Sequence, residues 1–224
     1  MESLPSLSVT TTGFFSMPGR PETHQDSISL AARDGLRFEL IFFSQQFEDT
    51  VKRTLEMINQ MQADGVISKY AIGGAVGATF YLEPSATLDV DVFVSLPVTP
   101  GSSLLSLTPI YEYLQARGSR VEGEYIVIGD WPVQFLPPSD ALERDAIEEA
   151  LQTEVEGVKT WVMRAEHLVA IALRTGRAKD HARILQFLEQ GAVDRRNLDQ
   201  VLAQYNLADR WELFERKYLK ETNE

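Results

Sequence analysis

Tyr70-Ala-Ile-Gly-Gly-Ala-Val-Gly-Ala-Thr-Phe-Tyr-Leu82, followed by Thr87-Leu-Asp-Val-Asp-Val-Phe-Val94, is the stretch on which the reading of this chain turns. It reads as a short strand, a double-glycine turn, the start of a helix, and then a second strand that carries two acids. Asp89 and Asp91 alternate with Val90 and Val92. Side chains on a strand alternate with period two, so both carboxylates project from one face and both valines from the other. Two adjacent acids repel each other and lose hydration, which is costly unless positive charge sits between them. A divalent cation meets that need, and paired carboxylates with phosphate oxygens suit Mg²⁺ or Mn²⁺. Gly73 and Gly74, opening a helix, offer backbone N–H groups to a phosphate. The other use of such a pair is a tight strand-to-helix turn with no ligand. Together the two pieces point to metal-assisted phosphoryl or nucleotidyl chemistry.

The rest of the chain sets the context. The sequence has 224 residues, a net charge of −12, and no cysteine. That length suits one good-sized domain or a domain with a smaller appendage. The absence of cysteine excludes disulfides, thiolate zinc sites and cysteine nucleophiles, and fits a cytoplasmic protein. The acidic balance argues against wholesale coating of a nucleic-acid backbone and is compatible with a basic protein partner. No apolar run approaches the roughly 18–20 residues that span a bilayer, and no secretory signal is read at the N-terminus.

In order, residues 1–35 are rich in Ser, Thr, Pro and Gly and read as a flexible arm. A short strand is expected at Arg37–Phe43, then an amphipathic helix over Gln45–Ala63, with Phe47, Val51, Leu55, Ile58 and Met61 at helical spacing and Gly65 as its stop. The motif region follows, with a helix over Ala75–Leu82 and a strand over Leu88–Ser95. A helix marked by Leu104, Leu107, Ile110, Tyr111 and Leu114 comes next, ending before Gly118. Arg120–Ile128 and Trp131–Leu136 read as two strands of a hairpin around Gly129-Asp130. Ser139 or Asp140 caps a helix over Ala141–Leu151, and a last strand is expected at Val155–Val162. From Arg164 on the pattern is helical: Glu166–Thr175 closed by Gly176, Lys179–Glu189, a helix capped by Asp194, and one bearing Trp211, Phe214 and Tyr218. The expectation is an α+β fold, a mixed β-sheet with flanking helices over residues 36–150, followed by a mainly helical subdomain over 151–224.

An apolar residue, Gly73-Gly74, a helix, and then Asp89-x-Asp91 among hydrophobic neighbours resembles the nucleotidyltransferase superfamily, the group that includes DNA polymerase beta. The likeness is nearer to stand-alone bacterial nucleotidyltransferase-like proteins, including AbiEii-type toxins. It covers roughly Phe47 to Arg183. The resemblance implies that Asp89 and Asp91 bind the metal ions that grip a nucleoside triphosphate, and that a third carboxylate on a neighbouring strand completes the site. That strand is Trp131–Leu136, whose central alternating position holds Gln134. Glutamine neither accepts a proton nor neutralises a cation as a carboxylate does. Asp130 or Asp140 could substitute from a strand end. Thr87 stands where the toxin-like relatives often carry a serine, and Ser85 where they carry an arginine. Lys179-Asp180 matches a basic and acidic segment that in those relatives helps to bind nucleotide, and Arg183 lies one turn on; these cations alternatively serve only their own helix.

Two readings follow. In the first the protein transfers an NMP from an NTP to an acceptor, which could be RNA, a protein hydroxyl or a small molecule. In the second it is a catalytically degenerate member of that fold, acting by binding as a regulatory or toxin–antitoxin partner.

Overall fold

The structure is a computed structural model that describes residues 49–83, 89–97 and 106–219. The expected arm at 1–35, the strand at Arg37–Phe43, and Phe47, Ser85, Thr87 and Leu104 lie outside the described residues.

Helix α1 covers 49–63. It is followed by β1 (Lys69–Ile72), α2 (Gly74–Ala78), β2 (Val90–Ser95), α3 (Thr108–Gln115), β3 (Arg120–Glu122), β4 (Tyr125–Ile128), β5 (Trp131–Leu136) and α4 (Ala141–Glu148). Strands β6 (Leu151–Val155) and β7 (Val158–Val162) come next, then α5 (Ala165–Thr175), α6 (Ala178–Glu189), α7 (Arg195–Gln204) and α8 (Ala208–Tyr218). All seven strands form one mixed sheet in the order β3-β4-β5-β2-β1-β7-β6. The fold is α+β, as expected, with the acid-bearing strand β2 at its centre.

Period-two alternation sends the residues of β2 to two different cores. Val90, Val92 and Val94 pack with Val51, Leu55, Ile58 and Met61 of α1, and with Ile110 and Leu114 of α3. Thr54 pins α1 to the sheet by donating its Oγ1 hydrogen to the Ile128 carbonyl at 2.9 Å. Phe93 points the other way and joins Ala71, Leu142, Leu168, Ile184 and Phe187 under the helical half. Asp89 and Asp91 share the parity of Phe93, so they open on the side that carries α5 and α6.

Local chemistry explains where expectation and structure differ. The run Arg120–Ile128 is two strands, because Gly123 adopts φ 64° and turns the chain between β3 and β4. The Gly129-Asp130 turn is present, with φ of 56° and 71°, both positive as a tight hairpin with the right-handed strand twist requires. Helix α4 stops at Glu148, and Leu151 begins a strand. The expected single strand at Val155–Val162 is the second half of a hairpin that turns at Glu156-Gly157, with φ of 49° and 76°. Since β7 pairs with β1, the sheet takes in residues 151–162, beyond the expected boundary at 150. Helix α2 is only Gly74–Ala78, with turns carrying the chain on to Leu82.

Candidate active site

Asp89 precedes β2 and Asp91 is its second residue. The backbone around Asp91 fixes the site. Its carbonyl accepts from the Gly73 N–H at 2.9 Å, which continues the β1–β2 ladder by one step. That bond commits one of the two glycine N–H groups expected to meet phosphate, so Gly73 has no amide hydrogen left for a ligand. Gly73 and Gly74 are required instead by crowding. A Cβ on Gly73 would lie 2.6 Å from the Phe93 ring and 3.2 Å from Met163 Sδ. On Gly74 it would lie 1.8 Å from Asp91 Oδ2, and Gly74 has φ 57°, where a side chain is strained. The Asp91 carboxylate thus occupies the place that any other residue at 74 would fill.

Asp91 is half-buried, and no hydrogen bond from a described residue reaches its carboxylate. Burial first, and then the charge of Asp89, push it above the ordinary carboxylate range; Arg183, Lys179 and Arg177 oppose that shift without cancelling it. Two neighbouring acids, with cations within range, form an oxygen donor set suited to a hard divalent ion. Among the described residues no three His, Asp or Glu side chains are gathered closely enough to hold a metal by themselves.

The cations come from the α5–α6 corner. Gly176, with φ 73° and ψ 19°, ends α5 in the left-handed conformation, as its position after Thr175 suggested. Arg177 caps α6, and its guanidinium donates to both oxygens of Asp180 at 2.8 and 3.1 Å, while its own N–H also reaches Asp180 at 3.1 Å. Lys179 is exposed and Arg183 intermediate. Asp180 is therefore a capping group of α6, not a free ligand. Arg174 is also engaged, paired with Asp140 and with the buried Glu143 at the start of α4. Asp140 both caps α4, accepting from the Glu143 N–H at 3.0 Å, and holds Arg174, so it is no substitute third carboxylate. Asp130 sits exposed in the β4–β5 turn. The neighbouring Gly129 faces α1, where its Cβ would lie 3.5 Å from Arg53.

Gln134 stands at the expected position: in the β2–β5 register it is directly opposite Asp91. Its Nε2 donates to Glu124 Oε2 at 3.3 Å. Next to Glu124, Tyr125 reaches Asp89 Oδ2 with its phenol at 3.5 Å. Loss of water first, and then the charges of Asp89 and Glu124, raise the Tyr125 phenol above its ordinary range. Neither Glu124 nor Tyr125 stood out in the sequence. The only available signal was Gly123, which breaks the run Arg120–Ile128 and makes Glu124 a turn residue. A separate groove of about 450 Å³, lined by Arg53, Met57, Arg117, Val127 and Ile128 among others, opens on the α1 side of the sheet, away from these acids.

No protein-family model matches the chain, and no curated protein sequence does. Solved structures similar in shape include the following two. The antibiotic-resistance factor ANT(2'')-Ia is 16% identical with a TM-score of 0.44, over 77% of this chain and 99% of that one. An antigenic nucleotidyltransferase-like protein from Paracoccidioides brasiliensis is 14% identical with a TM-score of 0.47, over 73% of this chain and 93% of that one. Likenesses at this level carry no weight for function, which rests on the residues of this chain.

Proposed function

We propose that this chain is a metal-dependent nucleotidyltransferase that moves a nucleoside monophosphate from a nucleoside triphosphate to an acceptor hydroxyl. The observation that carries the reading is Asp91: a half-buried carboxylate pressed against Gly74, raised by burial and by Asp89, with the charges of Arg183, Lys179 and Arg177 acting on it from a distance. Asp89 and Asp91 would hold Mg²⁺ or Mn²⁺. When bound, such an ion neutralises both acids and offsets charge on the phosphate oxygens at the reacting phosphorus. Lys179, Arg183 and Arg177 meet the remaining phosphate charge. On the glycine turn, the N–H groups of Gly74 and Ala75 start the helix without an intrahelical acceptor and remain suited to an anion. Thr87, two residues before Asp89 in the sequence, is assigned to the same nucleotide grip.

Calorimetry with a non-hydrolysable nucleoside triphosphate is the direct test. Binding should require Mg²⁺ and disappear in Asp89→Asn and Asp91→Asn. If both variants bind as the wild type does, the site is misplaced.

One observation favours a second reading. Gln134 lies where a third acid would be expected beside Asp91, which suits a protein that binds nucleotide without transferring it and works through a protein partner, as in a toxin–antitoxin pair. Labelled NTP offered to RNA, protein and small-molecule fractions separates the two: incorporation that is lost in the Asp variants excludes the binding-only form.

A further inference from the structure

Gln134 is part of a row. The β4–β5 register pairs Ile126 with Val133, which carries Tyr125 to the level of Gln134, and β2–β5 places Gln134 opposite Asp91. Tyr125, Gln134 and Asp91 therefore follow one another across three strands on one face of the sheet. The β3–β4 turn adds a carboxylate to that row: Gly123 turns the chain, and Glu124 accepts from Gln134 Nε2 at 3.3 Å. The next residue, Tyr125, reaches Asp89 with its phenol at 3.5 Å. Two consecutive residues at the hairpin tip are thus tied to the site, Glu124 to the Gln134 amide opposite Asp91 and Tyr125 to Asp89. Gln134 cannot take a proton, but an amide that donates from Nε2 can hold a carboxylate that does.

We infer that Glu124, bonded to Gln134 in the row that leads to Asp91, is the group that accepts the proton of the attacking hydroxyl. This rests on the nucleotidyltransferase reading above and deepens it. The acceptor O–H bond breaks and its proton passes to the Glu124 carboxylate. The oxygen forms a bond to the α-phosphorus, the bond from that phosphorus to the bridging oxygen breaks, and its electron pair leaves with pyrophosphate. Glu124 then returns the proton to water. Gln134 is a positioning residue in this scheme. Glu124 is exposed and sits in a turn, so its replacement leaves the core untouched.

The test compares wild type, Glu124→Gln, and the double variant Glu124→Gln with Gln134→Glu, which moves the carboxylate from the turn to the strand. Two readouts are used: calorimetric binding of an α,β-methylene nucleoside triphosphate with Mg²⁺, and pyrophosphate release from Mg²⁺–NTP with water as acceptor, supplemented by label transfer to cell-extract fractions. Glu124→Gln should bind the analogue within about twofold of wild type while product formation falls roughly 100-fold or more, the usual contribution of a positioned general base. The double variant should recover at least about tenfold of that loss. Undiminished product formation by Glu124→Gln, or no recovery in the double variant, overturns the inference and leaves nucleotide binding standing. A wild type that binds the analogue yet gives no product in either assay overturns it in favour of the binding-only reading. A wild type that does not bind the analogue removes the nucleotidyltransferase reading, and this inference with it.

Discussion

Asp91 on β2 and Asp180 in the first turn of α6 are both withdrawn from water and both feel Arg177, yet they shift in opposite directions. For Asp180, burial pushes the carboxyl up, but the Arg177 side chain and N–H bond it directly and the balance falls below the ordinary range. For Asp91, burial and the charge of Asp89 win, because the same cations act on it only from a distance. A buried acid with its donors in place is part of the framework. A half-buried acid with cations nearby, but no donor on it among the described residues, is built for something that arrives later.

The hardest blow to this comparison is Asp91→Asn. It should lower nucleotide transfer by roughly a thousandfold, in line with loss of a group that anchors a metal at the reacting phosphate. Its effect on stability should have the opposite sign. The folded-state pKa of Asp91 is raised, so the stability it contributes is fully present below the unfolded value and is lost as pH rises through the folded one. Ionised Asp91 therefore weakens the metal-free fold at neutral pH, and the melting temperature of Asp91→Asn should rise there. A drop would mean the carboxylate has a donor in solution.

Gly74→Ala comes next. The new Cβ would overlap Asp91 Oδ2 and sit at φ 57°, so transfer should fall roughly a hundredfold. Stability should fall by about 1–3 kcal/mol, the usual range for a side chain in a left-handed position. Urea denaturation checks the second figure; an unchanged midpoint would contradict the close approach.

Asp180→Asn tests the other acid. Loss of its bonds to Arg177 should cost about 1–2 kcal/mol of stability at neutral pH, as for a helix cap. Because the folded pKa of Asp180 is lowered, its contribution is present above the unfolded value and is lost as pH falls through the folded one. Wild type and variant should therefore converge in acid denaturation series as the pH falls below the ordinary carboxylate range. Persisting separation would show that the shape of the side chain, not its charge, is what matters.

Lys179→Ala gives the smallest effect. An exposed cation that meets phosphate charge should raise the KM for NTP roughly three- to tenfold and leave kcat nearly unchanged. An effect on kcat alone would place Lys179 on the transition state instead.

Much of the site was legible because its chemistry is local. The Gly73-Gly74 turn and the Asp89-x-Asp91 alternation each span a few residues, and strand parity alone puts both acids on one face. Helix ends were also local: Gly176 ends α5, and the Asp194 side chain accepts from the Asn197 N–H at 2.8 Å. Short strands were harder. Arg120–Ile128 and Leu151–Val162 each conceal a hairpin, because a strand of three to five residues has too little alternation to mark its own break. The role of Gly73 was misjudged for a different reason: whether an N–H is available depends on the strand lying beside it.

What the sequence determined by itself is therefore the acid pair, the glycine turn before it, and the helical character of the C-terminal half. What the tertiary structure decided is which charges meet. It engages Asp140 and Arg174 in an ion pair that joins α4 to α5, and Asp180 in the cap of α6. It brings Arg177, Lys179 and Arg183 to bear on Asp91 from nearly ninety positions away in sequence. It also folds the β3–β4 turn so that Glu124 lies over Gln134. Coulomb interactions and hydrogen bonds depend on distance in space, and sequence spacing gives that distance only within a single turn or strand.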